Sequence, residues 1–155
     1  YIVYRKTYNA KTKKWSGWAI RGTAKAGQSS WTDKKVTSGV KYKYTVRAIN
    51  GNFKSTYTSS GKLIYLAQPV VTSAKATSGI AVKWTKSGGA TSYIVYRQEM
   101  TDGAWSKWAS VATTKAKVNS YTDKTVEEGK EYRYTVRAVD GSYKSTYAAS
   151  NSVKR

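Results

Sequence analysis

Hydrophobic and polar residues alternate along most of this chain, with a period of two. In the segment EYRYTVRA, Tyr132, Tyr134 and Val136 fall on one side of an extended backbone, and Arg133 and Arg137 fall on the other. A strand with one buried face shows this period, whereas a helix would repeat every 3.6 residues. Tyr, Val, Thr and Trp dominate the alternating segments, as expected for strands. The pattern therefore predicts an all-β chain.

Turn-forming residues divide the second half of the chain into seven predicted strands. These cover residues 69–76, 79–86, 91–99, 105–113, 119–123, 130–139 and 142–153. Asn50-Gly51 and Asp140-Gly141 each lie between two strand-like segments, where a tight hairpin needs residues that tolerate positive φ. We therefore expect a hairpin at each dipeptide, and seven short antiparallel strands at this spacing predict a β-sandwich.

The chain repeats itself with a period close to ninety residues. YKYTVRAINGNFKSTY at 42–57 returns as YRYTVRAVDGSYKSTY at 132–147, and YIVYR at 1–5 returns at 93–97. This period is too long for a helical solenoid and suits a whole small domain. The repeat predicts two units, residues 1–67 and residues 68–155.

The first copy has no counterpart to residues 68–92, which contain two of the predicted strands. A sandwich without these strands exposes part of its core and unpaired strand edges. Two interpretations follow. Either the chain is a piece of a longer array, or another molecule supplies the strands by β-augmentation.

The second unit resembles the fibronectin type III domains, and most closely the variety found in repeat-rich surface proteins of Gram-positive bacteria. The resemblance rests on Trp84 within VKWTKSGGATSY, on Tyr93 and Val95, and on the run VEEGKEYRYTVRA. It implies tandem immunoglobulin-like antiparallel β-sandwiches, the first of them lacking strands A and B. It also implies an extracellular location, secreted or on the cell surface.

The same resemblance implies a role for one tyrosine in each unit. In the family, an apolar residue precedes a glycine and then a tyrosine whose hydroxyl returns to the backbone at a corner. The matching residues are Val126, Gly129 and Tyr132 in the second unit and Val36, Gly39 and Tyr42 in the first.

Integrin-type adhesion is disfavoured, because the loop between the last two strands is short and contains no RGD sequence.

Charge and residue types narrow the function further. The 155 residues include 28 Lys and Arg but only 8 Asp and Glu, a net charge of +20, and residues 1–67 hold 14 basic and 1 acidic residue. Such a surface attracts polyanions.

The chain contains neither His nor Cys, so the commonest general base, the thiol nucleophile and the soft metal ligands are missing. Asp33 and Asp123 lie in TDK segments that predict turn caps. We predict no enzyme, no metal site and no cofactor.

Two surface features are candidate binding sites. The first is the tryptophan pairs of WSGW and WSKW, in which residues three apart on a regular strand face opposite sides. One member of each pair would be inward and the other outward, either as cover for a sheet edge or as a platform for a sugar ring. The second is an outer strip of aromatic and basic side chains on the third and sixth strands. The candidate residues are Trp15, Trp18, Trp105, Trp108, Tyr4, Tyr96, Lys43, Arg47, Arg133 and Arg137.

These features predict a non-catalytic spacer or interaction module of a secreted or cell-surface bacterial repeat protein. One alternative is a module that binds carbohydrate or an anionic wall polymer. A second is a structural subunit of a filament or virion, completed by strand donation and self-associating through the first unit. The expected partners are neighbouring domains of a longer chain and an anionic polysaccharide or wall polymer. Nucleic acid ranks last, because no recognition motif accompanies the charge. No apolar run is long enough to form a membrane-spanning helix, and we expect no signal peptide in the first twenty residues.

Overall fold

The computed structural model describes all residues, Tyr1–Arg155, and contains strands and turns without a helix. It therefore holds no helix that could cross a membrane. The chain divides into two compact units, which we call unit 1 (Tyr1–Tyr65) and unit 2 (Leu66–Arg155).

The strands are numbered in chain order. Unit 1 contains β1 (Ile2–Asn9), β2 (Lys14–Trp15), β3 (Ala19–Thr23), β4 (Lys41–Arg47), β5 (Ile49–Asn50), β6 (Phe53–Lys54) and β7 (Leu63–Ile64). Unit 2 contains β8 (Val71–Ala76), β9 (Gly79–Trp84), β10 (Ser92–Thr101), β11 (Ala104–Trp105), β12 (Ala109–Lys115), β13 (Ser120–Asp123), β14 (Glu131–Asp140), β15 (Tyr143–Lys144) and β16 (Val153–Lys154).

Unit 2 is an all-β sandwich, as its sequence predicts. One sheet has β10 and β14 at its centre, with β11, β12, β15 and β16 around them, and the other has the order β13-β9-β8. The alternating apolar residues of both sheets point into one core, and the largest of them are Tyr93, Val95, Tyr132, Tyr134, Val136, Ile80, Val82 and Trp84. The ring of Trp84 lies 5.7 Å from that of Tyr93, which joins the two sheets.

Two details of unit 2 differ from the sequence prediction. Asp140 pairs with Tyr143, so the hairpin turn is Gly141-Ser142 rather than Asp140-Gly141. Only Gly141 has a positive φ there, 58°, which suits a turn with glycine first. The last predicted strand is also interrupted between β15 and β16. There, Ser150 donates from its backbone to the Tyr134 carbonyl and Thr135 donates from its hydroxyl to the Ala148 carbonyl, so side chains replace part of the ladder.

The strands of unit 1 pair in the same register as the strands of the larger sheet of unit 2. Val3 of β1 lies opposite Val46 of β4, as Val95 lies opposite Val136, and a register shift interrupts the β1–β3 pairing after Val3 as it interrupts β10–β12 after Val95. Residues 30–33, which align with β13, form no strand. The smaller sheet of unit 2 thus has no equivalent among the paired strands of unit 1.

The resemblance implies a corner at which a tyrosine hydroxyl returns to the backbone, which we call the tyrosine corner. This corner is present in both units. The Thr37 backbone N–H donates to the Tyr42 hydroxyl at 2.8 Å, and the Glu127 N–H donates to the Tyr132 hydroxyl at 3.0 Å. The glycine that precedes each tyrosine has a positive φ, 80° at Gly39 and 82° at Gly129. A side chain at these two positions would be strained, because L-residues seldom adopt that conformation.

Candidate functional site

Both tryptophans of each WSxW segment lie on one surface, the outer face of the larger sheet. None of the four is buried, and Trp105 and Trp108 both lie against Arg133 of β14. The expectation that one member of each pair points inward is wrong, because the segment is not a regular strand. β11 ends at Trp105 and β12 begins only at Ala109.

The serine of each segment holds this irregular backbone in place. The Ser106 N–H donates to the Glu99 carbonyl at 2.9 Å, and the Glu99 N–H donates back to the Ser106 hydroxyl at 3.0 Å. Ser16 and Thr7 form the same reciprocal pair in unit 1, at 2.9 and 3.0 Å. Because the serine replaces a ladder position, the chain turns and returns both tryptophans to the outer face.

In unit 2 the outer face is an interlocked stack of arginines and aromatic rings. The Arg133 guanidinium carbon lies 4.4 Å from the Trp105 ring centre and 5.7 Å from that of Trp108. Its Nε donates to the Gln98 side-chain oxygen at 2.7 Å, which fixes the orientation of the guanidinium. Arg137 lies 5.4 Å from the Tyr147 ring and donates to the Ser145 carbonyl at 2.8 Å. Each arginine therefore has both a ring and a hydrogen-bond acceptor.

In unit 1 the same face carries more cations. Lys6 lies 5.0 Å from the Trp18 ring centre, Lys41 lies 5.3 Å from Tyr8, Lys43 lies 5.2 Å from Trp15, and Arg47 lies 5.6 Å from Tyr57. We call the four cations Lys6, Lys41, Lys43 and Arg47 the cationic strip.

The strand period explains why these cations share one face. Lys41, Lys43 and Arg47 share the outward side of β4, and Lys6 of β1 lies directly opposite Lys43. Neighbouring outward positions on one strand are about 6.8 Å apart. The sequence marked Lys43 and Arg47 as candidates but missed Lys6 and Lys41. The same alternation along β1 and β4 could have found them.

Unit 2 carries less positive charge at the equivalent positions. Gln98 stands where unit 1 has Lys6, and Glu131 stands where it has Lys41. Asp33 is the only acidic residue among residues 1–67, and Arg5 already binds it at 2.8 Å. The cationic strip therefore has no carboxylate partner within its own unit.

Tyr4 and Tyr96, the remaining candidates, line two matching clefts. One is lined by Tyr4, Trp18, Thr45, Arg47 and Tyr57 and the other by Tyr96, Trp108, Thr135, Arg137 and Tyr147. Each has a volume of about 120 Å³. Small-molecule sites typically enclose about 300–1,000 Å³, so these clefts are too small to enclose a sugar. Any ligand of this face would have to lie across its surface.

The sequence analysis missed a buried charged group behind each stack. In unit 2, the Asp123 carboxylate is fully buried and accepts from Arg97 at 2.9 Å and from the Tyr134 hydroxyl at 3.0 Å. Thr125 donates to it from both its backbone and its hydroxyl. Burial alone would raise the pKa of Asp123, but these hydrogen bonds and the guanidinium charge outweigh it and lower the pKa. Burial and the nearby carboxylate raise the pKa of Tyr134.

Unit 1 contains the same group. Asp33 accepts from Arg5 at 2.8 Å, from the Tyr44 hydroxyl at 3.0 Å and from the Lys35 N–H at 2.9 Å. Burial would raise the pKa of Asp33, yet the hydrogen bonds lower it, and burial together with Asp33 raises the pKa of Tyr44 to about 12. The backbone cap predicted for both aspartates is therefore only part of their role.

These aspartates are structural rather than poised for acid–base chemistry. A general base needs a pKa near the working pH, and the pKa of both carboxyls is shifted away from neutrality. The acidic side chains also form no group that could hold a metal ion.

Comparison with known proteins supports the fold. A two-domain fibronectin type III segment from chicken tenascin is 20% identical, covers 99% of this chain and 84% of its own length, and superposes with a TM-score of 0.56. A Fn3-like protein from Clostridium thermocellum is 28% identical over 55% of this chain and 88% of its own, with a TM-score of 0.46. No family model and no curated protein sequence matches. With its antiparallel sheets and tyrosine corners, the chain has the fibronectin type III fold.

Proposed function

We propose that this chain is a non-catalytic spacer and interaction module of a secreted or cell-surface bacterial repeat protein. In this proposal residues 1–67 and 68–155 are tandem fibronectin type III-like units, and the first lacks the two strands that correspond to β8 and β9. The cationic strip of unit 1 is the interaction surface, and its ligand is an anionic polymer such as a wall polymer or an acidic polysaccharide.

The observation that carries the proposal is the concentration, on one face of unit 1, of cations that have no carboxylate partner. Four cations lie over aromatic rings there without a carboxylate partner, whereas unit 2 places Gln98 and Glu131 at two of the same positions. A ring holds a cation by its quadrupole without neutralising the charge. The stacking therefore fixes where each charge lies and leaves it available to a polyanion.

The geometry favours charge over sugar stacking as the basis of recognition. The Trp15 and Trp18 rings carry Lys43 and Lys6 on them, and the cleft beside Trp18 is too small to enclose a sugar. A charged polymer laid across β1 and β4 would reach all four cations without entering a pocket. Such binding weakens with added salt because exposed charges are screened.

The test compares two pairs of charge-removing substitutions in the whole chain. We expect Lys41→Gln with Lys43→Gln to weaken binding of poly(glycerol phosphate) by about five- to tenfold at low salt, as two surface ion contacts predict. The control pair, Lys83→Gln with Lys86→Gln, removes the same charge from exposed positions of unit 2. Binding can be measured by calorimetry at several sodium chloride concentrations.

Three results would contradict a localised cationic site for an anionic polymer. Equal losses in both double variants would mean that net charge alone attracts the polymer. Salt-independent binding of a neutral glycan such as amylose would mean that the aromatic rings bind sugar. An absence of binding to either polymer would remove the interaction role and leave the spacer role.

A further inference from the structure

A pocket opens at the end of the larger sheet of unit 1, where β1 ends and β4 begins. It is lined by the β1–β2 hairpin, residues 7–16, and by Val40, and its volume is about 500 Å³. This volume lies within the range of roughly 300–1,000 Å³ that small-molecule sites occupy, unlike the clefts beside Tyr4 and Tyr96. We call it the hairpin pocket.

In unit 2 the matching place stays open to solvent, although β8 and β9 cover the inner face of that sheet. Glu99 and Lys130 stand where unit 1 has Thr7 and Val40, and their side chains are 26% and 41% exposed. An ion pair of 2.8 Å joins them, whereas unit 1 has two uncharged side chains there. The hairpin pocket is therefore a feature of the end of the sheet and is separate from the inner face.

A long turn forms one part of the pocket wall. Residues 10–13 join β1 to β2, whereas only residues 102–103 join β10 to β11. The Asn9 side-chain oxygen holds the longer turn, because it accepts from the backbone N–H groups of Lys11 at 2.9 Å and Thr12 at 3.1 Å. These two bonds fix the plane of the amide. Its NH₂ group is therefore held in one orientation, and it has no hydrogen-bond partner within the chain.

Two aromatic rings form another part of the wall and connect the pocket to the cationic strip. The ring centres of Tyr8 and Trp15, which both line the pocket, are 5.3 Å apart. Lys41 lies 5.3 Å from the Tyr8 ring, and Lys43 lies 5.2 Å from the Trp15 ring. Two charges of the strip therefore lie directly beside the pocket.

We infer that the hairpin pocket binds one sugar ring of the polymer that lies on the cationic strip, so that the ligand is an acidic polysaccharide rather than a polyol phosphate. The aromatic rings pack against the C–H groups of the sugar, and the Asn9 amide and the Thr12 hydroxyl bind its hydroxyl groups. Lys14, the one cation of the wall, binds an acidic group of the same residue. This inference rests on the polymer role proposed for the strip. Charge supplies most of the binding, and the ring selects among anionic polymers.

A polyol phosphate cannot use the groups of the pocket in this way. Its backbone is a narrow, flexible chain without a ring, so it gains the charge contacts of the strip and leaves the two aromatic rings in contact with water. A sugar ring covers apolar surface of those rings and satisfies the Asn9 donor without breaking any bond inside the chain. Both kinds of polymer therefore bind the strip, but only the polysaccharide fills the pocket.

The first test fills the pocket in the whole chain without changing its charge. We expect Val40→Trp to weaken binding of polygalacturonate about tenfold and to change binding of poly(glycerol phosphate) by less than about twofold. Each polymer carries one acidic group per repeating unit, so charge alone predicts similar changes for both. Val118→Trp is the matched control and should alter neither affinity. Each valine lies in a turn and donates from its backbone to a carbonyl three residues earlier, that of Thr37 at 3.2 Å or Lys115 at 3.0 Å.

The second test removes only the fixed donor. Asn9→Asp keeps the side-chain oxygen that holds the turn and replaces the NH₂ group with an acceptor. Asn52→Asp, at an exposed position between β5 and β6, changes the charge of unit 1 by the same amount. Asn9→Asp should weaken binding of polygalacturonate about fivefold more than Asn52→Asp does, as one lost hydrogen bond predicts. The two variants should bind poly(glycerol phosphate) within about twofold of each other, and calorimetry at low salt measures all four affinities.

The two polymers separate failure of this inference from failure of the polymer role. If neither Val40→Trp nor Asn9→Asp acts selectively on polygalacturonate, the pocket binds no sugar, and the cationic strip alone accounts for binding. If Val40→Trp weakens both polymers because it disturbs the fold, Asn9→Asp decides the question, since it retains the bonds that hold the turn. If the native chain binds neither polymer, the polymer role and this inference are both wrong.

Discussion

Replacing Asp123 by asparagine is expected to lower the free energy of unfolding of unit 2 by about 3–5 kcal/mol, the usual cost of breaking a buried ion pair. The carboxylate is fully buried and accepts hydrogen bonds from Arg97, Thr125 and Tyr134. An amide of the same size leaves the guanidinium without its counter-charge and sets an N–H group against one of these donors. Urea denaturation followed by tryptophan fluorescence measures the change.

Asp102→Asn is the matched control for this substitution. Asp102 is exposed in the turn between β10 and β11, so its loss should change stability by less than about 0.5 kcal/mol. If the two variants were equally stable, the carboxylate of Asp123 would not contribute as the geometry indicates.

The same group fixes the direction of the pH dependence. The pKa of Asp123 is lowered in the folded state, so its contribution is fully present above the ordinary aspartate pKa of about 3.9. It is lost as the pH falls through the depressed folded value. We expect Asp123→Asn to remove much of this acid sensitivity of unit 2. Because the chain has no histidine, its stability should change little between pH 5 and 8.

Replacing Trp84 by alanine is expected to destabilise unit 2 by about 3–5 kcal/mol. The side chain is 3% exposed and contacts Tyr93 of the opposite sheet, so truncation leaves a cavity between the sheets. Its indole N–H is buried without a hydrogen-bond partner. Phenylalanine removes that unsatisfied donor and retains most of the ring, so Trp84→Phe should be clearly milder than Trp84→Ala.

Thermal or urea unfolding of the two Trp84 variants gives the comparison. Trp84 belongs to unit 2, so the unfolding transition of unit 1 should be unchanged. Equal losses for alanine and phenylalanine would mean that ring volume between the sheets does not stabilise the unit.

The sequence was sufficient to predict strands wherever the alternation was regular. β9, β10 and β14 were expected within a few residues of their observed bounds, because a period of two both defines a strand and identifies its buried side. The WSxW segments escaped the prediction, because a serine that replaces a ladder position breaks the period locally. The turn at Gly141 was misplaced by one residue, because only pairing between the strands fixes the register of a hairpin.

The buried charges escaped prediction for a different reason. Arg97 shares the inward side of β10 with Tyr93 and Val95, and that parity was readable from the sequence. Its partner Asp123 is 26 residues away, and the sandwich brings the two together across its core. An inward arginine in an otherwise apolar track indicates a buried acid, but identifying that acid requires the tertiary structure.

How far a strand is buried is still harder to predict from the residues of that strand alone. Val46 and Val136 occupy identical YTVRA segments, yet one is half exposed and the other fully buried. The difference depends on β8 and β9, which are distant in the chain from both valines. The cationic strip lies on the opposite face and was easier to predict, because the alternation of residues along each strand is enough to place its four cations on one side.

Amide exchange in the two YTVRA strands, measured on the whole chain without any added partner, tests the central claim most directly. The nearly identical sequences make the intrinsic exchange rates almost equal, so any difference reports structural protection. With one inner face closed and the other open, residues 132–138 should exchange roughly a hundredfold more slowly than residues 42–48. Equal protection in both strands would contradict an open inner face in unit 1.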